Sequence, residues 1–327
     1  MSSTTKELVV PIEELRSFVV RSMVAVGTKE DHARDLAELL VSADYRGHYS
    51  HGLNRLDMYI SEIKEGMTTS GDNEPTILKE TVATALVDGN NVLGPVVGKY
   101  CIDLAIKKAK DAGIGFVTAK GSNHFGIAGW YSIRAMKQGM LGMAFTNTSP
   151  MMVPTRAKER TLGTNPLTLA AQGNHGDEFV LDMATTSVAL GKLEMQDRKG
   201  EPIPPGWAVD QDGKETRDAK NFHGLLPLGG VEQSSGYKGY GLAMMVEIFC
   251  GILSGSSFGP NVRTWKDFDR AANLVDGASE VLVPGDPERK HMELCDNLGG
   301  IPYHPNQITY ANELAKYFKI TPMKLLK

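Results

Sequence analysis

Hydrophobic positions in the N-terminal part of the chain recur at helical spacing. Ile12, Leu15, Phe18 and Val19 follow Pro11, a residue suited to a first helical turn, and predict a helix that stops at Gly27. Leu36, Ala37, Leu40 and Val41 predict a second helix, opened by Thr28 and Asp31 as a variant capping box and closed at Gly47. After the polar turn His48-Tyr49-Ser50-His51-Gly52, a third helix is predicted over residues 53–65, with Arg55 in its first turn. A cation there opposes the helix dipole, so an anionic ligand or an ion pair with Asp44 or Asp57 is expected to compensate it.

From Thr81 the pattern changes to alternating elements. Strands are predicted over residues 82–87, 114–119 and 141–146, and helices over 95–112 and 128–138, stopped by Gly113 and Gly139. Residues 167–171 and 179–183 predict a hairpin around Gly173-Asn174-His175-Gly176-Asp177. Further on come a helix over 187–195, a long polar loop region over 197–233 and a strongly hydrophobic helix over 238–253. A short strand over 281–283 and a C-terminal helix over 308–318 complete the chain. No internal repeat or low-complexity tract interrupts this order.

Length and composition narrow the class. The 327 residues are 41% hydrophobic, enough for a large core and, by length, two domains. A net charge of -4 with both signs interspersed and no basic run argues against a nucleic-acid surface. No run of apolar residues is long enough for a membrane span, and the first ten residues lack the apolar core of a secretory signal. Cys101, Cys250 and Cys295 are scattered through helix-like segments without a metal-type pair, as expected of buried free thiols in a reducing, cytosolic setting.

The familiar chemical fingerprints are missing: no Gly-x-Gly-x-x-Gly after a strand, no P-loop, no Gly-x-Ser-x-Gly elbow and no His-Glu-x-x-His. A serine nucleophile at Ser50 with His51 as base is disfavoured, since adjacent residues rarely place a hydroxyl and its base correctly. A zinc site from His48, His51 and His124 lacks a carboxylate or cysteine to complete it, so no metal is expected. What stands out is His124 in Lys120-Gly121-Ser122-Asn123-His124-Phe125-Gly126, a titratable ring among glycines that let a ligand approach. A histidine that merely hydrogen-bonds its own turn is the plainer alternative. Asp182-Met183-Ala184-Thr185-Thr186 is placed at a strand end opening a helix, where it either receives a ligand phosphate or caps the helix. Lys238, between glycines at a helix start, either meets a bound anion or sits in water. Thr146-Asn147-Thr148-Ser149 offers hydroxyl and amide groups at another strand end.

Taken in order, five motifs resemble the type-2 malate/L-lactate dehydrogenase family, which includes ureidoglycolate, sulfolactate and diketogulonate enzymes. They are Ser50-His51-Gly52-Leu53-x-Arg55, Gly121-Ser122-Asn123-His124-Phe125-Gly126, Gly163-Thr164-Asn165-Pro166, Asp182-Met183-Ala184-Thr185 and Gly236-Tyr237-Lys238-Gly239-Tyr240-Gly241. The resemblance implies an α/β fold whose cofactor domain is not a Rossmann fold but a largely antiparallel sheet wrapped by helices, which corrects the drift of the element order towards βαβ. It places residues 1–78 with 286–327 in a helical domain and 79–285 in the cofactor-binding domain of a cytoplasmic homodimer. The implied activity is an NAD-dependent (or NADP-dependent) interconversion of a small 2-hydroxy acid and its 2-oxo acid, malate and oxaloacetate first. An NADPH-dependent reductase of a cyclic imino acid or sugar-derived keto acid is the alternative, and a non-catalytic binding protein is the reading from another class. By resemblance, His124 is the general acid/base, His51 a second candidate proton donor, Arg55 the carboxylate clamp and Ser50 part of the same pocket. Thr148, Asp182, Met183, Ala184 and Lys238 match cofactor-contacting positions. The chain departs from the family between Phe258 and Ala278, where the family usually carries a longer segment.

Overall fold

A computed structural model describes residues 8–263 and 286–325. Strand β1 (Leu8–Val10) leads into helix α1 (Ile12–Val24), which packs on α2 (Glu30–Tyr45). The predicted faces are the buried ones: Leu15, Phe18 and Val19 of α1 meet Leu36, Ala37 and Leu40 of α2 in the largest core cluster. The capping box does not form. Lys29 occupies the cap position of α2 without a side-chain hydrogen bond, and the Thr28 hydroxyl is buried without a partner among the described residues. The third helix starts later than its pattern suggests. Tyr49–His51 and Leu53–Arg55 form two successive 3-10 turns, and α3 covers Leu56–Lys64.

Beyond α3, β2 (Thr76–Glu80) pairs antiparallel with β3 (Thr84–Asp88), and α4 (Gly94–Ala112) crosses over to β4 (Phe116–Lys120), which runs parallel to β3. Helix α5 (Gly129–Met136) then leads to β5 (Gly142–Phe145), β6 (Leu167–Gln172) and β7 (Glu178–Met183), a second three-stranded sheet that is antiparallel throughout. After α6 (Leu190–Lys199), the polar stretch expected to be loop contains a small antiparallel sheet of β8 (Ala208–Val209), β9 (Glu215–Thr216) and β10 (Gly224–Leu225). Helix α7 (Gly236–Glu247) continues as a wider π turn through Ile252. Helix α8 (Asp286–Leu298), β11 (Ile301–Tyr303) and α9 (Pro305–Tyr317) follow, and the strand expected at 281–283 lies outside the described residues. Among the described ladders only β3–β4 is parallel, as a largely antiparallel α/β architecture requires.

Three packing relations position the site. β11 pairs with β1, so the C-terminal segment closes on the N-terminal helices, and Ile301, Tyr303, Ile308 and Ala311 join their core. Val92, Leu93, Val96 and Val97 at the start of α4 enter the same core and anchor the first sheet to it. β4 and β5 each form the edge of their own sheet, and both line one large cavity.

Candidate active site

The loop after β4 turns at Gly121 and Gly126, both at positive φ, and passes directly over the start of α4. A Cβ on Gly94 would stand 2.2 Å from the His124 carbonyl oxygen, so this approach requires glycine. From the other side, α3 presents Tyr59, which is fully buried. Its hydroxyl lies 2.6 Å from His124 Nδ1 and 3.4 Å from the His124 carbonyl oxygen. His124 therefore exceeds the plainer reading of a turn histidine, because its ring is held by a side chain from a distant helix.

The two 3-10 turns bring Ser50, His51 and Arg55 to the same place. The His51 ring lies over that of His124, centroids 6.0 Å apart and planes inclined by 18°. Ser50 Oγ is 2.9 Å from His51 Nδ1. A serine hydroxyl donating to Nδ1 leaves the proton of the neutral ring on Nε2. Arg55 Nε donates to the Ser50 carbonyl oxygen at 2.6 Å, which orients the guanidinium. Beneath these turns lies Asp44, fully buried, whose Oδ2 accepts from Leu53 N (2.8 Å) and from the Tyr303 hydroxyl. A Cβ on Gly52 would fall 1.8 Å from the Asp44 carboxylate, so the turn is moulded on that side chain.

The electrostatics of this cluster follow from burial. His51 is pushed down to about 3, first by desolvation and then by the charges of Arg55 and His48. His124 is held well below the ordinary histidine range by desolvation, then by His51, Arg55 and Arg263. Both imidazoles are neutral near pH 7. A carboxylate held at Arg55 would oppose this shift, since a nearby negative charge favours the imidazolium. Desolvation also raises the Tyr59 phenol above its usual range, so it remains a hydroxyl.

The cavity beside these residues measures 2320 Å³, well above the roughly 300–1,000 Å³ of an ordinary small-ligand pocket. Its wall combines flat apolar surface with hydroxyl and amide groups. Phe145 stacks on Phe249 at 5.6 Å, and Thr146, Asn147, Thr148 and Ser149 follow at the end of β5. This donor set and size fit an extended nicotinamide dinucleotide, whose rings need apolar faces and whose phosphates need donors. Thr148 is fixed from the Gly163-Thr164-Asn165-Pro166 turn: its hydroxyl accepts from Thr164 N (2.9 Å) and its N–H donates to Asn165 Oδ1 (3.1 Å). Buried Asn165 in turn donates to Glu247 of α7 at 2.9 Å.

Of the residues singled out from the sequence, Ser50, His51, Arg55, His124, Thr148 and Met183 line this cavity; Asp182, Ala184 and Lys238 do not. The segment after β7 does not open a helix at once, because α6 starts only at Leu190. Asp182 instead accepts from Gly129 N (2.7 Å), tying the first residue of α5 to the second sheet, and burial raises its carboxyl pKa. Lys238 stands exposed in the first turn of α7. Sequence reasoning missed Tyr59 and Glu62, although Arg55, Tyr59 and Glu62 are spaced four and three residues apart, the signature of one helical face. It also missed Arg263, a single arginine in a polar stretch with no motif around it.

Comparison with known proteins adds independent findings. The profile described as malate/L-lactate dehydrogenase matches residues 10–274. Malate dehydrogenase from Pyrococcus abyssi is 46% identical over 261 residues, 78% of this chain and 71% of that protein. L-sulfolactate dehydrogenase from Methanocaldococcus jannaschii is 44% identical over 253 residues, 77% of this chain and 71% of that one. The solved structure of malate dehydrogenase from Pyrococcus horikoshii superposes with a TM-score of 0.85 at 34% identity, covering 97% of each chain.

Proposed function

The chain belongs to the malate/L-lactate dehydrogenase family, and on that premise we propose that it interconverts malate and oxaloacetate with a nicotinamide cofactor, NAD in the first instance and NADP in the second. The observation that carries this reading is the convergence of His124, braced by Tyr59 at 2.6 Å, and Arg55 on one cavity wall. Arg55 takes the 1-carboxylate, which a planar guanidinium grips with two parallel hydrogen bonds and so fixes the face presented by C2. His124 Nε2 removes the proton of the 2-hydroxyl during oxidation and returns it during reduction.

Tyr59 serves both directions of that transfer. With the proton on Nδ1, the imidazole donates to Tyr59 Oη, and the phenol hydrogen turns towards the His124 carbonyl oxygen 3.4 Å away. Once Nε2 has taken the substrate proton both ring nitrogens are protonated; Nδ1 still donates to Tyr59 Oη, and the same hydrogen bond steadies the imidazolium that returns its Nε2 proton during reduction. When bound, the nicotinamide supplies or accepts the hydride. Thr148 and Met183 are the wall residues assigned to it, and Asp182 acts at one remove through α5.

His51, stacked on His124, supports a second reading in which it donates the proton to an imine, as an NADPH-dependent reductase of cyclic imino acids would require. The wider setting is also a proposal: a cytoplasmic homodimer in which residues 1–78 with 286–327 and residues 79–285 form two domains. Among the described residues no helix is long and apolar enough to cross a membrane. Absorbance at 340 nm with NADH or NADPH, against oxaloacetate, pyruvate and piperideine carboxylate, tests the reading. Fastest oxidation with oxaloacetate supports malate; turnover of the imine alone supports the second reading; silence across the panel favours a binding protein.

A further inference from the structure

Arg263 reaches the His124 end of the cavity from outside the motifs that define the site. Its Nη2 donates to Asn123 Oδ1 at 2.8 Å and to Glu62 Oε1 at 3.0 Å. Both acceptors are themselves fixed. Glu62 is 4% exposed, and the Thr68 hydroxyl donates to its other oxygen at 2.9 Å. The Asn123 amide nitrogen donates to the Val92 carbonyl oxygen at 2.9 Å, which turns its Oδ1 towards Arg263. The Arg263 carbonyl oxygen accepts from the Ser149 hydroxyl at 2.6 Å, so the backbone is held as well.

A guanidinium has five N–H donors, and among the described residues only Nη2 of Arg263 is engaged. The side chain is 41% exposed against 5% for its partner Glu62, so the pair presents its cationic member to the cavity. Arg263 lines the same cavity wall as Arg55 and His124. A four-carbon diacid needs a second counter-charge when it enters a partly desolvated pocket, because a buried unpaired carboxylate is costly.

We propose that Arg263 binds the distal acid group of the substrate, so that Arg55 and Arg263 hold the two ends of a short dicarboxylate with C2 at His124. This rests on the reading of the site given above and narrows its substrate class to diacids. Glu62 and Asn123 act as positioning residues that aim the second guanidinium.

The test compares oxaloacetate with pyruvate, which lacks the distal acid, at saturating cofactor in wild type, Arg263→Met and Arg263→Lys. Removing the charge should lower kcat/KM for oxaloacetate about 100-fold, mainly through KM, as truncating one side of a desolvated charge pair does. Pyruvate turnover should fall far less, so that the oxaloacetate/pyruvate ratio of kcat/KM drops at least tenfold, while the KM for NADH stays within about twofold. Arg263→Lys, which keeps charge but not the fork, should lose about tenfold on oxaloacetate alone. Equal losses on both acids in the lysine variant, or a change confined to the KM for NADH, would overturn the proposal; the latter places Arg263 at a cofactor phosphate. Wild-type turnover of oxaloacetate with no change in the oxaloacetate/pyruvate ratio in either variant sinks the Arg263 assignment while leaving the parent reading intact. Wild-type silence on both acids overturns both.

Discussion

The Tyr59 hydroxyl lies 2.6 Å from Nδ1 of His124, across an interface between α3 and the loop after β4. The phenol is fully buried. Tyr59→Phe removes the hydrogen bond to the buried ring at Nδ1, at a cost of about 1–3 kcal/mol. The expected result is a fall in kcat of about 10- to 100-fold with KM for the 2-oxo acid nearly unchanged. Steady-state kinetics check this; a KM effect without a kcat effect would assign Tyr59 to binding instead.

Arg55 predicts the opposite split. Its Nε is committed to the Ser50 carbonyl oxygen, which sets the plane of the guanidinium. Arg55→Lys keeps the charge but loses both the backbone bond and the fork. KM for the acid should rise at least tenfold with a smaller change in kcat, whichever 2-oxo acid is used. A normal KM would show that the carboxylate binds elsewhere.

Asp44 links the fold to pH. Burial pushes its carboxyl up to about 7, against the ordinary value of about 3.9 in an unfolded chain. The folded protein therefore holds a proton that the unfolded chain has released between those values, so this contribution to stability is present at low pH and lost as pH rises through about 7. Asp44→Asn should flatten the decline in Tm between pH 4 and 7 relative to wild type. Parallel Tm curves for the two proteins would show that Asp44 titrates normally.

Neutral imidazoles set the pH profile of the reaction. With His51 pushed down to about 3 and His124 well below its usual range, the base form of His124 prevails at pH 6–8 before substrate binds. In the oxidative direction kcat/KM should stay level as pH falls from 8 to 6. In the reductive direction, where a proton must be supplied, it should rise over the same interval. A decline in oxidative kcat/KM as pH falls from 8 to 6 would contradict the assignment.

Much of this was legible from side-chain pattern alone, and the exceptions have physical causes. The helices α1, α2, α4 and α5 announced themselves by one apolar face, with Gly113 and Gly139 at positive φ behind α4 and α5. The hairpin β6–β7 followed from two apolar runs around a Gly-Asn-Asp turn. Strand β2 was invisible because all five of its residues are exposed, so no alternation marks it. The two-residue strands β8, β9 and β10 are too short to carry a period at all. Thr28 looked like a cap, yet the turn from α1 was closed by its backbone, Thr28 N donating to the Met23 carbonyl oxygen at 3.1 Å. His124 and Arg55 stood out from their local setting, and the resemblance supplied their roles and that of His51. Asp44, Tyr59 and Arg263, which hold or flank them, came from contacts between segments far apart in sequence, and a linear reading does not contain such contacts.

The role of His124 is tested most directly by His124→Ala, measured for both turnover and NADH binding by fluorescence. The prediction is a loss of turnover of about 100-fold or more with the dissociation constant for NADH within a few-fold of wild type. Turnover equal to that of wild type would contradict the role assigned to His124 and leave His51 as the proton carrier.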